Sequence, residues 1–323
     1  MGSVAEDKSH SEKPVTVLVT GFGPFKQEYP VNPSWEITRS LPEWLPPLRA
    51  KTANVITPSS HHPGASAGPG STSTTPAPAP VAIPPVRITV HPEPIRVNYT
   101  VVRDLVPKLW NSQQTADPPT SPEEPAITPG EGEKPQPTST PAEPSQPSLP
   151  AAGPGPDIVL HIGMAGPRLT YAIERRGHRD GYHMRDVDGQ LLQDDERRAR
   201  EGKDWVWDGV PAELLTAFDP EDVLRRWKMH CPKHLELRVS EDAGHYLCDF
   251  IYFSSLAHLY KTGRRRNVIF LHVPCDASEH MVTLGREIVL QLIRSIVESE
   301  WAKHGKIIRE EESKPMEVSI EMS

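Results

Sequence analysis

Three side chains on distant segments, Cys248, His272 and Glu174, have the chemistry needed for nucleophilic catalysis. Cys248 follows the strand-like segment LELRVS by eight residues and lies in the first turn of a predicted helix. The amide groups and the dipole at a helix start favour thiolate, the nucleophilic form of cysteine. His272 interrupts the apolar segment FLHVP, and a neutral imidazole there could act as a general base. Glu174, in YAIERR, could hold that imidazole in the required tautomer.

Each of these residues also has an ordinary structural interpretation, so the residues alone leave alternatives open. A lone cysteine is often a small core residue, and a glutamate beside arginines is often part of a surface ion pair. Asp242 and Asp276 are alternative partners for the imidazole because each is closer in sequence to one of the candidates. Cys275 is a rival nucleophile three residues from His272, but side chains this close along one strand rarely face each other.

Neither the histidines nor the glycines form a recognisable cofactor site. His61, His62, His178 and His183 include no HExxH pair or comparable metal motif. The three cysteines also lack the paired CxxC spacing of a structural zinc site. The loop GFGPF is a weak nucleotide motif, because a third glycine and an acidic ribose ligand are missing. The sequence therefore predicts no metal and no cofactor.

The scaffold predicted for these residues alternates short apolar strands with amphipathic helices. Apolar β-branched segments that stop near glycine predict buried strands, and apolar residues at helical spacing predict helices. The predicted strands are 15–20, 87–90, 157–163, 235–240 and 267–274, and the predicted helices are 32–40, 101–110, 219–230, 243–260 and 281–299. This alternation predicts an α/β fold, a three-layer α/β/α sandwich with a mostly parallel twisted sheet like those of phosphorylases and hydrolases. Ligand sites in such folds lie beyond the carboxyl ends of strands.

Composition divides the chain into one domain and several segments that lack a core. We expect residues 1–14 to form a disordered tail and 307–323 a charged one, with a single catalytic domain over 15–306. Proline-rich, low-complexity inserts interrupt this domain at about 50–85 and 111–156. Such segments bury too little apolar surface to offset the entropy lost on ordering.

Charge and targeting signals limit the expected partners and the compartment. A formal net charge of −8 gives no electrostatic footprint for nucleic acid or an anionic membrane. We find neither a secretory signal nor an apolar run long enough for a membrane helix. Three cysteines, an odd and sparse set, are typical of a reducing compartment. The sequence therefore predicts a cytoplasmic protein with no nucleic-acid or membrane partner.

Taken in order along the chain, the motifs resemble the pyroglutamyl peptidase I family of cysteine peptidases. VLVTGFGPF and VNPSWE are followed by a strand running into GMAG, then by ER, SEDAGHYLCDF and FLHVP. GFGPF with NPSWE, and DAGHYLCDF, are highly specific, whereas ER and FLHVP are weaker alone. The resemblance implies removal of N-terminal pyroglutamyl residues from peptides, without metal or cofactor, by one α/β/α domain. It also implies a lactam pocket near Phe22, Phe25 and Asn32, although the two phenylalanines could equally fill core space.

The resemblance also assigns roles to the candidate catalytic residues. It implies that Cys248 is the nucleophile, His272 the base and Glu174 the orienting partner of the imidazole. The two proline-rich inserts depart from the family's compact pattern. They leave open an alternative hypothesis, a catalytically silent homologue that binds pyroglutamyl peptides. A nucleosidase or phosphorylase on a similar scaffold would need phosphate or ribose ligands that the sequence does not offer.

Overall fold

The computed structural model describes residues 13–25, 27–48, 82–111, 155–166 and 169–312, with side chains to residue 304. Most of both predicted inserts, residues 1–12 and residues 313–323 lie outside these ranges. The predicted disorder of those segments, and the domain boundaries that depend on it, remain predictions.

Within these ranges, eight strands form a central sheet and a small ribbon. They are β1 (Val15–Gly21), β2 (Val86–Val90), β3 (Ile158–Met164), β4 (Thr170–Glu174), β5 (Arg176–His178), β6 (Glu213–Leu215), β7 (Glu236–Ser240) and β8 (Val268–Val273). The central sheet has six strands in the order β2-β1-β3-β8-β4-β7, and β5 pairs with β6 in the ribbon. Neighbouring strands of the central sheet are parallel except β4 and β8, which are antiparallel.

Helices cover both faces of this sheet. They are α1 (Pro33–Arg39), α2 (Tyr99–Asn111), α3 (Asp194–Glu201), α4 (Pro220–His230), α5 (Leu247–Lys261) and α6 (Glu279–Glu312). Alternate residues of β8 belong to two different cores. Ile269 and Leu271 pack in the core with α1, α4 and α6. Val268 and Phe270 pack in the core on the other face, with α2 and α5. The predicted three-layer α/β fold with a mostly parallel sheet is confirmed.

The elements predicted from sequence are present, with corrections at their ends and faces. The helix predicted from residue 243 begins at Leu247, because Gly244 and His245 have φ values of 92° and 47° that a helix does not accommodate. The spacing of Val101, Leu105 and Leu109 predicts that they share the apolar face of α2. This prediction is wrong at Val101, which is exposed, whereas Val102 and Val106 are buried. The final helix is longer than predicted and runs to Glu312. Within the described residues, no helix combines the length and apolar character needed to cross a lipid bilayer.

Candidate active site

Cys248 lies at the start of α5, as the sequence predicts, with its sulfur directly above β3. Tyr246 caps the helix without a side-chain hydrogen bond, and Cys248 is the second helical residue. Backbone N–H groups in a first helical turn have no intrahelical acceptor, so they face the space beside the sulfur. A Cβ atom built on Gly163 of β3 would lie 2.7 Å from the Cys248 sulfur. Glycine at position 163 therefore provides the space that the sulfur occupies.

His272 lies on β8 beside that sulfur and is hydrogen bonded to Glu174. In the sheet, Gly163 pairs with His272, which brings the imidazole next to the position under Cys248. The distance from His272 Nδ1 to Glu174 Oε1 is 2.7 Å. Glu174 is 1% exposed and His272 is 8% exposed. The three segments predicted to carry catalytic chemistry therefore meet at one place.

The reversed direction of β4 explains why Glu174 reaches His272. Ala172 of β4 is opposite His272, so Glu174 is opposite Phe270, two residues back along β8. Such diagonal neighbours project from the same face and lie within reach of long side chains. The Phe270 ring packs against the imidazole with ring centroids 4.8 Å apart, which limits its rotation.

The charge state of His272 differs from the neutral form expected from sequence. Burial lowers the pKa of His272, but the negative charge of Cys248 and hydrogen bonds with Cys248 and Glu174 outweigh it and raise the pKa to about 10. This raised pKa favours the protonated, cationic form of the imidazole. The expectation of a neutral ring was made from the strand alone, without these neighbours.

A cavity of about 720 Å³ opens over these three residues. Phe25 and Tyr246 line one part of it, with ring centroids 6.1 Å apart. Ala172 and Arg238 line the part that extends over β4 and β7. The cavity therefore combines an aromatic wall, the sulfur–imidazole pair and a cationic end.

Two of the predicted substrate-binding residues, Phe22 and Asn32, are buried and do not line the cavity. Phe22 is 3% exposed and packs in the core shared with α2 and α5. Asn32 caps α1 by accepting a hydrogen bond from the Ser34 backbone N–H, and its side-chain amide donates to the Gly23 carbonyl at 2.9 Å. These contacts hold the GFGPF loop that presents Phe25. Direct contact of Phe22 or Asn32 with substrate remains a prediction.

The rival carboxylates have other partners. Asp242 accepts a hydrogen bond from the Gly244 backbone N–H at 2.7 Å in the loop before α5. Asp276 accepts one from the Ser278 backbone N–H at 2.8 Å, ahead of α6. Of the three candidate carboxylates, Glu174 is the one hydrogen bonded to the imidazole.

The two other cysteines do not line the cavity that Cys248 and His272 share. Cys275 is half-buried, and its charge and hydrogen bond raise the pKa of the neighbouring Tyr29. Cys231 is packed in the core with α4 and α6, where burial raises its pKa to about 12. Neither position gives a thiol with a base beside it.

Sequence reasoning missed Asp249, which directly follows Cys248. Asp249 is fully buried and accepts hydrogen bonds from the His178 backbone N–H at 3.0 Å and from His178 Nδ1 at 2.9 Å. This bond to Asp249 raises the pKa of His178. The pair connects the first turn of α5 to β5. A buried acid adjacent to a reactive thiol in YLCDF was the signal that could have identified it.

The same two residues belong to the one group of possible metal ligands found among the described residues. Ligand atoms of His178, Asp242, His245 and Asp249 lie within 4.8 Å of one another. His178 and Asp249 already satisfy each other by the hydrogen bond between them. The absence of a metal from the chemistry therefore remains a prediction.

The segment that carries the three candidate catalytic residues matches a known protein family. Residues 151–288 match the family model described as pyroglutamyl peptidase, and this range contains Glu174, Cys248 and His272. The predicted resemblance to the pyroglutamyl peptidase family is confirmed. The relation indicates a peptidase, and therefore a hydrolase.

Curated proteins and solved structures of the pyroglutamyl peptidase family extend the similarity beyond the matched range. Pyroglutamyl-peptidase 1 of Rattus norvegicus is 24% identical over 258 residues, which cover 80% of this chain and 78% of that protein. Pyrrolidone-carboxylate peptidase of Pyrococcus furiosus is 28% identical over 132 residues, covering 41% of this chain and 58% of that protein. The structure of a mutant Pyrococcus furiosus pyrrolidone carboxyl peptidase aligns with a TM-score of 0.51 at 16% identity, covering 88% of this chain and 99% of that one. At this identity the structural likeness shows the shared fold.

Proposed function

We propose that this chain is a cysteine omega-peptidase that hydrolyses the N-terminal pyroglutamyl residue from peptides. The observation that carries the proposal is the convergence of Cys248, His272 and Glu174 at one cavity, with His272 hydrogen bonded to Glu174. An imidazolium beside a thiolate is the form in which a cysteine peptidase is ready to attack. The names of the similar curated proteins supply the substrate class.

In the first step the thiolate of Cys248 attacks the pyroglutamyl carbonyl carbon. The resulting oxyanion accepts hydrogen bonds from backbone N–H groups at the start of α5. When the peptide bond breaks, His272 donates its proton to the leaving nitrogen and the peptide departs with a free amine. A pyroglutamyl thioester on Cys248 remains.

In the second step water hydrolyses this thioester. His272, now neutral, accepts a proton from the attacking water, and the Cys248 sulfur leaves as thiolate. The products are free pyroglutamate and the starting imidazolium–thiolate pair. Glu174 keeps Nδ1 of the ring bound throughout, so Nε2 stays directed at the reacting atoms.

The cavity suits a small neutral lactam. Phe25 and Tyr246 offer flat apolar surfaces near the sulfur, and a lactam ring is compact, planar at its amide and uncharged. Apolar walls with a few directed hydrogen bonds are the usual means of selecting such a ligand. The chemistry proposed here needs no cofactor.

Release of a chromogenic arylamine from a pyroglutamyl-arylamide tests the proposal. We expect turnover by the unmodified protein and a loss of more than about a thousand-fold in Cys248→Ala, because the thioester can no longer form. Cys275→Ala is the matched control and keeps its activity. Undiminished turnover in Cys248→Ala would exclude the mechanism, and tight binding without turnover in the unmodified protein would support the silent binding homologue instead.

A further inference from the structure

A continuous row of cross-strand partners crosses the sheet beneath the cavity. Gly163 on β3 pairs with His272 on β8. Ala172 on β4 pairs with His272 on one side and with Arg238 of β7 on the other. Cross-strand partners project from the same face, so Arg238 shares the face that carries the imidazole. Strands are spaced about 4.8 Å apart, which puts the Arg238 backbone about 10 Å from that of His272.

The cavity follows this row. Ala172 and Arg238 both line it. Because the side chain of Ala172 is a single methyl group, the space between the imidazole and the arginine stays open. Phe25 follows β1, which lies on the other side of β3 in the strand order. Across the strands, the cavity therefore presents the aromatic wall first, then the Cys248 sulfur, the His272 imidazole and the Arg238 guanidinium.

The proposed reaction orients a peptide along this line. The sulfur bonds to the pyroglutamyl carbon, while His272 protonates the leaving nitrogen, so the residues after the cleaved bond extend from His272 away from Phe25. An extended chain advances about 3.3–3.6 Å per residue. The first two or three residues of the leaving peptide therefore span the distance to Arg238.

Arg238 offers this peptide an uncompensated positive charge. Among the described residues its guanidinium has no ion pair or hydrogen bond. Arg185 lines the same cavity and uses one N–H group to bind a loop carbonyl at 2.7 Å. Of the cavity carboxylates, Glu174 binds His272, and Asp186 accepts backbone N–H groups of its own loop. Asp242, the remaining carboxylate on the described lining, is exposed and forms no ion pair with either arginine among the described residues.

We propose that Arg238 makes this chain prefer pyroglutamyl peptides with an acidic side chain at the first or second residue after the pyroglutamate. The inference rests on the proposed function and adds the substrate class. A carboxylate can bind a guanidinium through two parallel hydrogen bonds, which lysine cannot offer in the same geometry. Because the site is open to solvent, we expect a preference of about three- to five-fold, the size of an exposed ion pair.

Two peptides test the preference, with cleavage followed by chromatographic separation of the shortened peptide. They are identical except that Glu-Glu or Gln-Gln follows the pyroglutamate, and kcat/KM is measured for each at low and at high salt. In the unmodified protein we expect the Glu-Glu peptide to be favoured, less so at high salt because screening weakens the pair. Arg238→Gln should bring the ratio to about one, and Arg238→Lys should retain part of it.

Arg200→Gln is the matched control, since Arg200 is an exposed arginine on α3 outside the cavity lining. It should keep the unmodified ratio. Equal kcat/KM for the two peptides in the unmodified protein, or an unchanged ratio in Arg238→Gln, would overturn the inference while pyroglutamyl-arylamide turnover still supported the proposed function. Absence of arylamide turnover would overturn both.

Discussion

The hydrogen bond between His272 and Glu174 is the contact on which the chemistry of single residues depends. Its 2.7 Å length and the burial of both groups hold the ring in one orientation and support its positive charge. The second oxygen of Glu174, Oε2, is buried without a hydrogen-bond partner among the described residues. The carboxylate therefore accepts the hydrogen bond from the imidazole through one oxygen, Oε1.

Replacing Glu174 with glutamine should reduce kcat by at least about a hundred-fold, because a neutral amide no longer supports the cation and can hold the wrong tautomer. The measurement is pyroglutamyl-arylamide turnover, with circular dichroism to confirm folding. Asp276→Asn is the control, because that carboxylate binds the loop before α6. Equal losses in the two variants would contradict the role proposed for Glu174.

For single residues, the sequence was enough to choose the candidate side chains but not to predict their charges or their hydrogen-bond partners. Cys248 could be chosen because it lies in the first turn of a predicted helix, and His272 because it interrupts an apolar strand. The charge of His272 could not be predicted, since it depends on partners that are distant in the chain. Asp249 was missed because an acid in a first helical turn usually reads as a favourable interaction with the helix dipole.

Among the elements, β4 decides whether the site can form. It runs against β8 and parallel to β7, and so carries Glu174 below the imidazole and Ala172 beside it. The segment TYAIE was not predicted as a strand, because five residues ending in a charged run give no clear alternation. The direction of a strand in a sheet is set by tertiary pairing and cannot be read from its own residues.

The close approach of α5 to β3 gives a prediction for Gly163. In Gly163→Ala the new methyl group would lie 2.7 Å from both the Cys248 sulfur and the Phe270 ring, so the sulfur, the ring or both must shift. Because the Phe270 ring packs against His272, either shift disturbs the sulfur–imidazole pair. We expect arylamide turnover to fall by at least about a hundred-fold, the cost expected when reacting groups shift by about 1 Å.

Gly23→Ala is the matched control, because its Cβ would meet its neighbours at an ordinary 3.6 Å. It should retain turnover. A fully active Gly163→Ala would show that the sulfur does not need the position described for it.

For the molecule as a whole, the strand–helix alternation was enough to predict the fold. Buried strands such as β3 and β8 are apolar on both faces, which is the pattern of a sheet covered by helices on each side. The β5–β6 ribbon and α3 were not predicted, because these short polar segments gain their order from packing against the rest of the chain.

The raised pKa of His272 connects the site to global stability. From an ordinary value of 6.5, it rises to about 10 in the folded chain, so the folded state holds this proton more tightly. His272 therefore contributes its full stabilisation below about pH 6.5, and this contribution is lost as the pH rises through about 10.

Urea unfolding at pH 6.5 and at pH 10 measures this dependence. We expect the free energy of unfolding to fall over that interval, and to fall less in Cys248→Ala, in which the thiolate that raises the pKa is gone. An identical decline in both proteins would argue against a proton held between His272 and Cys248.

The burial of Cys231 has a practical consequence for labelling this protein. A thiol whose pKa is about 12 reacts slowly with alkylating reagents, so we expect Cys231 to remain unlabelled while the chain is folded. Cys275 can be removed by substitution without disturbing the imidazole. In that variant Cys248 is the half-buried thiol that remains, so a single alkylating probe would label it first. The later labelling of Cys231 in the same sample would measure how fast the core opens.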